Sequence, residues 1–327
     1  MKIHLNEKEV DTYGYYLEGL SKTIDEADYF NDILHSGEKV KERKRPYPIK
    51  ELSYEKYSKN PYYQIVRPHS KKEGDVYLNS HFYEANQGFV YDEISCDEKY
   101  FEERTPFGFF SKKFPFLALD EKDTTWMSVT PHEINTMKKP IDEAFGHVST
   151  LGLGLGYFAF MVSNKDNVSK VSIVEMNPKI IDIFKKEILP FFPHPEKIEI
   201  IEGDAYSFLD SSFEGDYLFA DLWHMPEDGL PMYVKMLPFE EKHPSTHFAY
   251  WIERSMLALI RRAIMILIDE EMLESVDENY LRESSFSDHL INQIHFILKD
   301  KEITSLEEIR ELLSYHSLKE IAKKIVF

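Results

Sequence analysis

The chain has 327 residues, which is long for one domain and suits two domains of about 150 residues each. Its hydrophobic fraction of 43% and aromatic fraction of 14% are enough for a substantial core and argue against disorder. A net charge of -19 disfavours nucleic acid as a partner, because an acidic surface repels phosphates. The single cysteine, Cys96, excludes an internal disulfide and suits a reducing compartment.

No stretch of the sequence is typical of a targeting or membrane segment. The first seven residues lack the apolar run of a signal peptide. The most apolar helix candidate, near Met256 to Leu267, is interrupted by Arg261 and Arg262 and is predicted to be a buried helix. We therefore expect a cytoplasmic protein that does not bind a membrane.

The N-terminal third mixes helical and β-type patterns. Residues 1 to about 36 place apolar side chains at loosely helical intervals, although Gly14 and Gly19 weaken the prediction of one continuous helix. The basic run from Lys39 to Pro46 is interpreted as a solvated linker. Nucleic-acid contact is the alternative, but no aromatic side chains interleave these charges.

A β-hairpin is predicted ahead of the main sheet. The runs 114–120 and 124–129 have β character and are separated by three polar residues. A helix then begins at Pro131, which suits a first helical turn, and runs toward Ala144. We assign residues 1–145 to an N-terminal mixed α+β domain.

From Val148 the pattern becomes that of an α/β sheet. A strand, Val148–Leu151, is followed by a turn that carries glycines at 152, 154 and 156, a helix-like segment, and a second strand that ends on Glu175. Such glycines let the backbone approach a nucleotide, and an acid at the end of the second strand can accept two hydrogen bonds from a ribose diol. A purely structural turn in a βαβ unit is the alternative. A dinucleotide fingerprint would place its third glycine at Tyr157, so this spacing departs from the nicotinamide pattern.

Two further strands are predicted at Ile198–Ile201 and Tyr217–Asp221. The right-handed crossover rule places all four in one parallel sheet, with a switch point between the first and the fourth. Three acids, Glu175, Asp204 and Asp221, therefore meet at the C-terminal edge of the sheet, where ligands bind. Asp204 could instead cap the helix that begins at Ala205.

Residues 148 to 221 resemble the cofactor half of a class I S-adenosylmethionine-dependent methyltransferase. The resemblance implies S-adenosylmethionine as the cofactor and a Rossmann-like sheet within residues 146–327. In that family the glycine turn lies under the methionine and ribose. The implied contacts are Gly152, Gly154 and Gly156 at the methionine and ribose, Glu175 at the ribose, Asp204 and Ala205 at the adenine, and Asp221 at the methionine or reacting centre. Met176 and Trp223 are further candidate cofactor contacts; Trp223 could pack on the adenine or the substrate, and a buried structural tryptophan is the alternative. One departure is Thr150, which stands where many members carry an acid.

The hairpin and the His132-Glu133 pair before the first strand are similar to the spermidine-synthase-like branch of that superfamily. Polyamine synthases carry a tyrosine where Pro131 stands, and a second aspartate where His224 stands. Their upstream acids are also replaced, by Met127 and Ser128. The carboxylates that hold a cationic substrate are thus mostly missing, which weakens the prediction of aminopropyl transfer.

The C-terminal third is predicted to be mainly helical. Phe248 to Leu273 is predicted as one long helix, and the tail from Ser284 as two or three helices, one of them beginning at Thr304–Glu307. The related fold has three more strands after the fourth, and only His295–Leu298 is a candidate here. Either helices cover the edge of a truncated sheet, or residues 263–268 are wrongly assigned to a helix.

The sequence therefore predicts a methyltransferase that acts on an unidentified, small-molecule acceptor. Asp221 and His224 are the candidate general bases, although a plain loop histidine is the alternative for His224. An aminopropyltransferase-like enzyme and an inactive module that binds S-adenosylmethionine are the rival hypotheses. We predict no metal site, because Pro244 disfavours a helix carrying His243 and His247, which are read as a helix entrance. A homodimer is the default oligomer.

Overall fold

The computed structural model describes residues 1–40, 45–67, 70–121, 124–211, 213–273 and 285–327. The helices are α1 (Glu7–Ser36), α2 (Tyr54–Ser58), α3 (Pro61–Ile65), α4 (Pro131–Thr136), α5 (Lys138–Glu143), α6 (Tyr157–Ser163), α7 (Pro178–Ile183), α8 (Ala205–Ser211), α9 (Pro226–Lys242), α10 (Glu253–Met272), α11 (Phe286–Leu298), α12 (Leu306–Leu312) and α13 (Tyr315–Ala322). The strands are β1 (Lys2–Ile3), β2 (Lys50–Glu51), β3 (Lys71–Glu73), β4 (Val76–Tyr83), β5 (Gly88–Val90), β6 (Ser95–Cys96), β7 (Glu103–Arg104), β8 (Phe107–Phe109), β9 (Phe114–Glu121), β10 (Thr124–Ser128), β11 (Gly146–Leu151), β12 (Val168–Glu175), β13 (Ile198–Glu202), β14 (Tyr217–Ala220), β15 (His247–Tyr250) and β16 (Glu302–Ile303).

Five parallel strands form the central sheet in the order β13-β12-β11-β14-β15. β11 lies in the middle, where Val148 pairs with Val171 of β12 on one side and Tyr217 of β14 on the other. Val148 and Leu151 are fully buried, as is usual in a parallel sheet whose two faces are covered. The predicted Rossmann-like α/β fold, its first four strands and the switch point between the first and the fourth are confirmed.

The fifth strand is a correction to the sequence analysis. His247–Tyr250 form β15, so the helix predicted to begin at Phe248 begins only at Glu253. Ile252 separates the two elements because its φ of 48° interrupts any regular structure. The candidate strand at His295–Leu298 is also wrong, since those residues end α11. Within the described residues, the sheet therefore has one strand after the fourth, where the related fold has three.

The N-terminal segment forms one helix of 30 residues, α1. Gly14 and Gly19 do not break it, because α1 packs against the rest of the protein. The hydroxyl of Tyr13 donates a hydrogen bond to the carbonyl oxygen of Met265 in α10 (2.6 Å). Tertiary contacts thus outweigh the weak helix preference of the two glycines.

The arginines that interrupt the apolar pattern of α10 have a buried partner. Glu103 of β7 lies 2.9 Å from the guanidinium of Arg261 and 2.7 Å from that of Arg262. Glu103 and Arg261 are both buried, so their charges compensate each other out of contact with water. This cluster attaches the N-terminal strands to the C-terminal helices.

The predicted hairpin is confirmed as β9 and β10, although residues 122 and 123 of its turn lie outside the described part of the chain. The two strands belong to a four-stranded antiparallel sheet, in the order β10-β9-β4-β3. An irregularity between Thr125 and Met127 shifts the register of β10 by one residue. The helix predicted from Pro131 to Ala144 is two short helices, α4 and α5, which meet at Met137.

Three helices, α11 to α13, make up the described tail, as predicted; residue 284 lies outside it. The side chain of Ser305 caps α12 by accepting a hydrogen bond from the N–H of Glu308 (3.3 Å), which confirms a capped start there. β1 pairs in parallel with β16, so the first residues lie beside the C-terminal helices. The division into two domains at residue 145 stays a prediction.

Residues 41–44 of the basic run also lie outside the described part of the chain, so its assignment as a linker stays a prediction. Within the described ranges, no helix combines the length and the apolar character that crossing a membrane requires.

Candidate functional site

The turn after β11 is built on three glycines with positive φ. The angle is 95° at Gly152, 54° at Gly154 and 69° at Gly156, a region that residues with a β-carbon rarely adopt. A β-carbon at Gly152 would lie 2.1 Å from the carbonyl oxygen of Asp221, and one at Gly156 would lie 2.3 Å from the ring of Phe184. The glycines therefore let the end of β11 contact the end of β14, and let the start of α6 contact the segment after α7.

A pocket of about 130 Å³ lies between the glycine turn, the hairpin strand β10 and the loop after β14. Five of the predicted site residues line it, namely Gly152, Gly154, Asp221, Trp223 and His224. The other five do not line it, namely Gly156, Glu175, Met176, Asp204 and Ala205. The structure therefore brings two of the three glycines together with Asp221, Trp223 and His224, and leaves Gly156 and the residues predicted for the ribose and adenine outside this pocket.

Asp221 is one of two partly buried acids that line the pocket, the other being Glu133. The backbone N–H of Asp221 donates a hydrogen bond to the carbonyl oxygen of Leu151 (2.9 Å), which holds it beside the glycine turn. Burial and the nearby carboxylate of Glu133 raise the pKa of Asp221 well above its usual value. Within the described residues, no group donates a hydrogen bond to the Asp221 carboxylate. The pocket thus presents a carboxyl group whose charge a bound cation would compensate.

Two aromatic residues next to Asp221 have different surroundings. Trp223 is buried, and its Nε1–H donates a hydrogen bond to the carbonyl oxygen of Trp251 (3.1 Å). His224 is exposed; its Nδ1 lies 3.3 Å from Oδ2 of Asp228, and its ring packs edge-on against Trp126 with 4.3 Å between ring centres. Trp223 is therefore part of a packed wall, whereas His224 lies at the solvent side of the pocket.

Glu175 connects the second strand to the glycine turn. One carboxylate oxygen accepts a hydrogen bond from the N–H of Leu153 (3.2 Å), and the other accepts one from the N–H of Asn177 (2.8 Å). Each oxygen can accept a second bond, so the carboxylate can still bind a ligand hydroxyl. Met176, the next residue, is 72% exposed at the same edge of the sheet.

Asp204 caps α8, which is the alternative that the sequence left open. Its Oδ1 accepts hydrogen bonds from the N–H and the hydroxyl of Ser207, both at 2.9 Å. These bonds lower the pKa of Asp204 because they stabilise the charged form. Ala205 is the first residue of α8 and is buried. The adenine contacts of both residues stay a prediction.

The histidine pair at 243 and 247 is not a helix entrance. His243 follows the last turn of α9, and His247 begins β15, so the prediction for this segment is wrong. Among the residues that the structure describes, no group of three or more His, Cys, Asp and Glu side chains is arranged to hold a metal ion.

Most of the lining residues were not named as site residues from the sequence, and four of these are Trp126, Met127, Glu133 and Trp251. The first three belong to the predicted hairpin and the helix after it, but nothing in their spacing indicates that they face the glycine turn. The contact is close, since a β-carbon at Gly154 would lie 2.9 Å from the sulfur of Met127. Trp251 directly follows β15. Because that strand was not predicted, Trp251 was not recognised as a residue at the edge of the sheet.

No protein-family model matches the sequence, and a comparison with curated proteins finds no significant match. Solved structures similar to the chain include spermidine synthase from Thermotoga maritima, with 13% identity over 59% of this chain and 61% of that one, and a TM-score of 0.32. Precorrin-6y C5,15-methyltransferase from Geobacter metallireducens has 18% identity over 35% and 73% of the two chains, with a TM-score of 0.27. Precorrin 8w decarboxylase from Methanobacterium thermoautotrophicum has 16% identity over 32% and 53%, with a TM-score of 0.25.

These matches include methyltransferases and spermidine synthases, the two groups that the sequence resembles. The chain spans about half to three-quarters of the length of these structures. At such TM-scores the matches carry no argument about activity, and the fold assignment depends on the strand order described above.

Proposed function

We propose that the chain binds S-adenosylmethionine at the C-terminal edge of its central sheet and transfers the methyl group to a small-molecule acceptor. The observation that carries this proposal is the pocket in which the glycine turn, the hairpin and Asp221 meet. In an open parallel sheet, ligands bind at this edge and beside the switch point, which lies between β11 and β14.

The residues present fit the cofactor in three respects. The glycine turn keeps side chains out of the space above β11. The uncompensated carboxyl group of Asp221 suits a positively charged ligand. Glu175 retains acceptor capacity for ribose hydroxyls at the end of β12. When bound, S-adenosylmethionine supplies a methyl group attached to a positively charged sulfonium.

The volume of the pocket indicates which part of the cofactor it can hold. Its volume of about 130 Å³ is below the ~300–1,000 Å³ typical of small-molecule sites. We therefore assign the pocket to the reacting end of the cofactor, and the open edge near Glu175 and Asp204 to the adenosine. The buried walls formed by Trp223 and Trp251 would exclude water from the reacting centre.

We assign to Asp221 the role of general base, which removes a proton from the acceptor. Because its pKa is raised, the ionised carboxylate of Asp221 is a stronger base, and a general base must accept a proton from the acceptor. An acceptor that loses no proton needs Asp221 only for position and charge. His224 is a second candidate base, and its exposed position would let it exchange protons with solvent.

A second function is favoured by the presence of two carboxyl groups, those of Glu133 and Asp221, in the same pocket. Two carboxyl groups that line one pocket with three tryptophans would suit a cationic amine acceptor. This supports aminopropyl transfer from the decarboxylated cofactor as the alternative. A module that binds the cofactor without turnover is the remaining possibility.

The test is turnover by the purified protein. We would supply methyl-labelled S-adenosylmethionine, or its decarboxylated form, with pools of amines and other metabolites, and detect products by mass spectrometry. The proposal predicts a methylated product that Asp221→Asn abolishes and that Asp142→Asn, an exposed control, leaves unchanged. An aminopropylated product would establish the alternative, and binding without any product would establish the inactive module.

A further inference from the structure

The short helix α3 is bonded to two different walls of the pocket. The hydroxyl of Tyr62 donates a hydrogen bond to the carbonyl oxygen of Leu155 (2.6 Å), which belongs to the glycine turn. The hydroxyl of the next residue, Tyr63, donates one to the carbonyl oxygen of Val129, directly after the hairpin strand β10. Leu155 and Val129 both line the pocket. Adjacent residues of one helix therefore hold the turn and the hairpin relative to each other.

We propose that α3 sets the separation between these two walls, and that Tyr62 and Tyr63 are positioning residues which thereby limit the size of the group that the protein can transfer. The part that concerns the transferred group rests on the proposed function. The part that concerns the two walls does not, because it depends only on contacts within the chain.

The glycine turn needs a bond from outside to keep its shape. Leu155 lies between two glycines with positive φ, and glycine adopts many backbone conformations with little preference among them. The start of the turn is held by β12, through the bond from Leu153 to Glu175. The carbonyl group of Leu155 is held instead by Tyr62. The N-terminal third of the chain thus completes a turn that belongs to the central sheet.

A second bond joins α3 to the same wall. Asn60 caps α3: its Oδ1 accepts a hydrogen bond from the N–H of Tyr62 (2.9 Å), and its Nδ2 donates one to the hydroxyl of Tyr157 (2.9 Å). Tyr157 is the first residue of α6 and lines the pocket. The rings of Tyr62 and Tyr157 also meet edge to face, with 5.5 Å between their centres. The position of α3 against the turn is therefore fixed at both ends of the Asn60 amide.

The bond from Tyr62 cannot be replaced by water. Tyr62 has no exposed surface, and Leu155 is only 4% exposed. A buried carbonyl group that loses its donor is costly, so the turn would move to find another partner. Burial also raises the pKa of Tyr62 and of Tyr63, which keeps both hydroxyls protonated and able to donate.

A small movement of either wall changes what the pocket can hold. The pocket has a volume of about 130 Å³. The turn and the hairpin already touch across it, since a β-carbon at Gly154 would lie 2.9 Å from the sulfur of Met127. In a packed pocket one additional methylene group changes affinity by about 10- to 200-fold. The separation of the walls is therefore expected to discriminate between a methyl group and a larger alkyl group.

Two ligands that differ by one methylene group at the sulfonium test this discrimination. Calorimetric titration would give the affinities of the wild-type protein for S-adenosylmethionine and for S-adenosylethionine. We expect a preference of about tenfold or more for the methyl compound, which Tyr62→Phe and Tyr63→Phe each reduce to about threefold or less. A general loss of stability would weaken binding of both ligands equally and leave the ratio unchanged.

Tyr13→Phe is the matched control. Like Tyr62, Tyr13 has no exposed surface, and its hydroxyl donates a hydrogen bond of 2.6 Å to a backbone carbonyl oxygen. That oxygen belongs to Met265 of α10, which does not line the pocket. The control should lose stability as the other two variants do, and should keep the wild-type preference between the two ligands.

Hydrogen exchange of the unliganded protein, followed by mass spectrometry, tests the position of the walls without any ligand. Tyr62→Phe should speed exchange of the amides in residues 153–160 by about tenfold, and Tyr63→Phe should do so in residues 127–131. Tyr13→Phe should leave both segments unchanged. Because the two variants act on different walls, either one alone tests the proposal if the other fails to fold.

Unchanged exchange in both segments, or faster exchange throughout the chain, would overturn the role of α3. A wild-type preference that both variants retain would overturn its role in selecting the transferred group. A wild-type protein that binds neither ligand would contradict the proposed function and the selection of the transferred group with it, while the exchange experiment would still decide whether α3 holds the two walls.

Discussion

Gly152→Ala is the substitution for which the structure makes the most specific prediction. Gly152 has a φ of 95°, and holding a residue with a β-carbon in such a region costs about 1–3 kcal/mol. The new β-carbon would also lie 2.1 Å from the carbonyl oxygen of Asp221, far inside contact distance. Relieving an overlap of that kind costs a further ~1–3 kcal/mol. We therefore expect the free energy of unfolding to fall by roughly 2–6 kcal/mol.

The overlap has a consequence for the pocket as well as for stability. The N–H of Asp221 is bonded to Leu151, so pushing its carbonyl oxygen away disturbs the junction of β11 and β14. Affinity for S-adenosylmethionine should fall together with stability. Urea unfolding followed by tryptophan fluorescence measures the loss of stability, and calorimetric titration measures the loss of affinity.

Gly14→Ala is the matched control. Gly14 lies within α1, and a β-carbon there would have no neighbour within 4 Å. The substitution should raise the free energy of unfolding by about 0.5–1 kcal/mol, because alanine favours the helix. A Gly152→Ala protein whose unfolding free energy is unchanged from wild type would refute the close contact between the two strand ends.

Three further substitutions test the other assignments. Glu175→Ala should weaken binding of S-adenosylmethionine by about 10- to 100-fold in a calorimetric titration, because hydrogen bonds to a charged group contribute roughly 1.5–3 kcal/mol. Asp221→Asn should change the pH dependence of stability. Because the pKa of Asp221 is raised, the folded state holds this proton more tightly than the unfolded state does, so the stability of the wild-type protein falls as the pH rises through that pKa. The variant has no carboxyl group at this position and should not show this decrease. Glu103→Ala should lower the free energy of unfolding by about 3–5 kcal/mol in urea, because it leaves the buried Arg261 uncompensated.

Each of these predictions has its own control. Unchanged affinity in Glu175→Ala would remove the ribose assignment, and Glu175→Gln should keep part of the binding because it keeps an acceptor oxygen. Stability curves of Asp221→Asn and wild type that run parallel from pH 4 to pH 9 would contradict the raised pKa. Asp142→Ala breaks an exposed pair with Lys138 and should cost at most about 1 kcal/mol; a similar small effect of Glu103→Ala would show that its cluster contributes little.

The centre of the fold could be predicted from the sequence because its signals are local. Val148–Leu151 and the glycines after it specify a strand and a turn within nine residues, and the β-branched run before Glu175 specifies the next strand. The order of the first four strands then follows from the handedness of parallel connections. The C-terminal edge that carries Glu175 and Asp221 could be predicted for the same reason.

The parts that were missed depend on contacts between distant residues. β15 has only four residues and lies two residues before α10, so its pattern merges with that of the helix. The wall formed by Trp126 and Met127 depends on how the hairpin packs against the glycine turn, which no local spacing records. The bond from Leu153 to Glu175 could not be predicted either, since it depends on the shape of the turn.

The measurement that tests the central claim most directly is a calorimetric titration of the purified protein with S-adenosylmethionine, with a nicotinamide dinucleotide as the control ligand. The account predicts saturable binding of S-adenosylmethionine alone, which Glu175→Ala weakens and Asp142→Ala leaves unchanged. Absence of binding, or preference for the dinucleotide, would contradict the assignment of the glycine turn and the pocket to this cofactor.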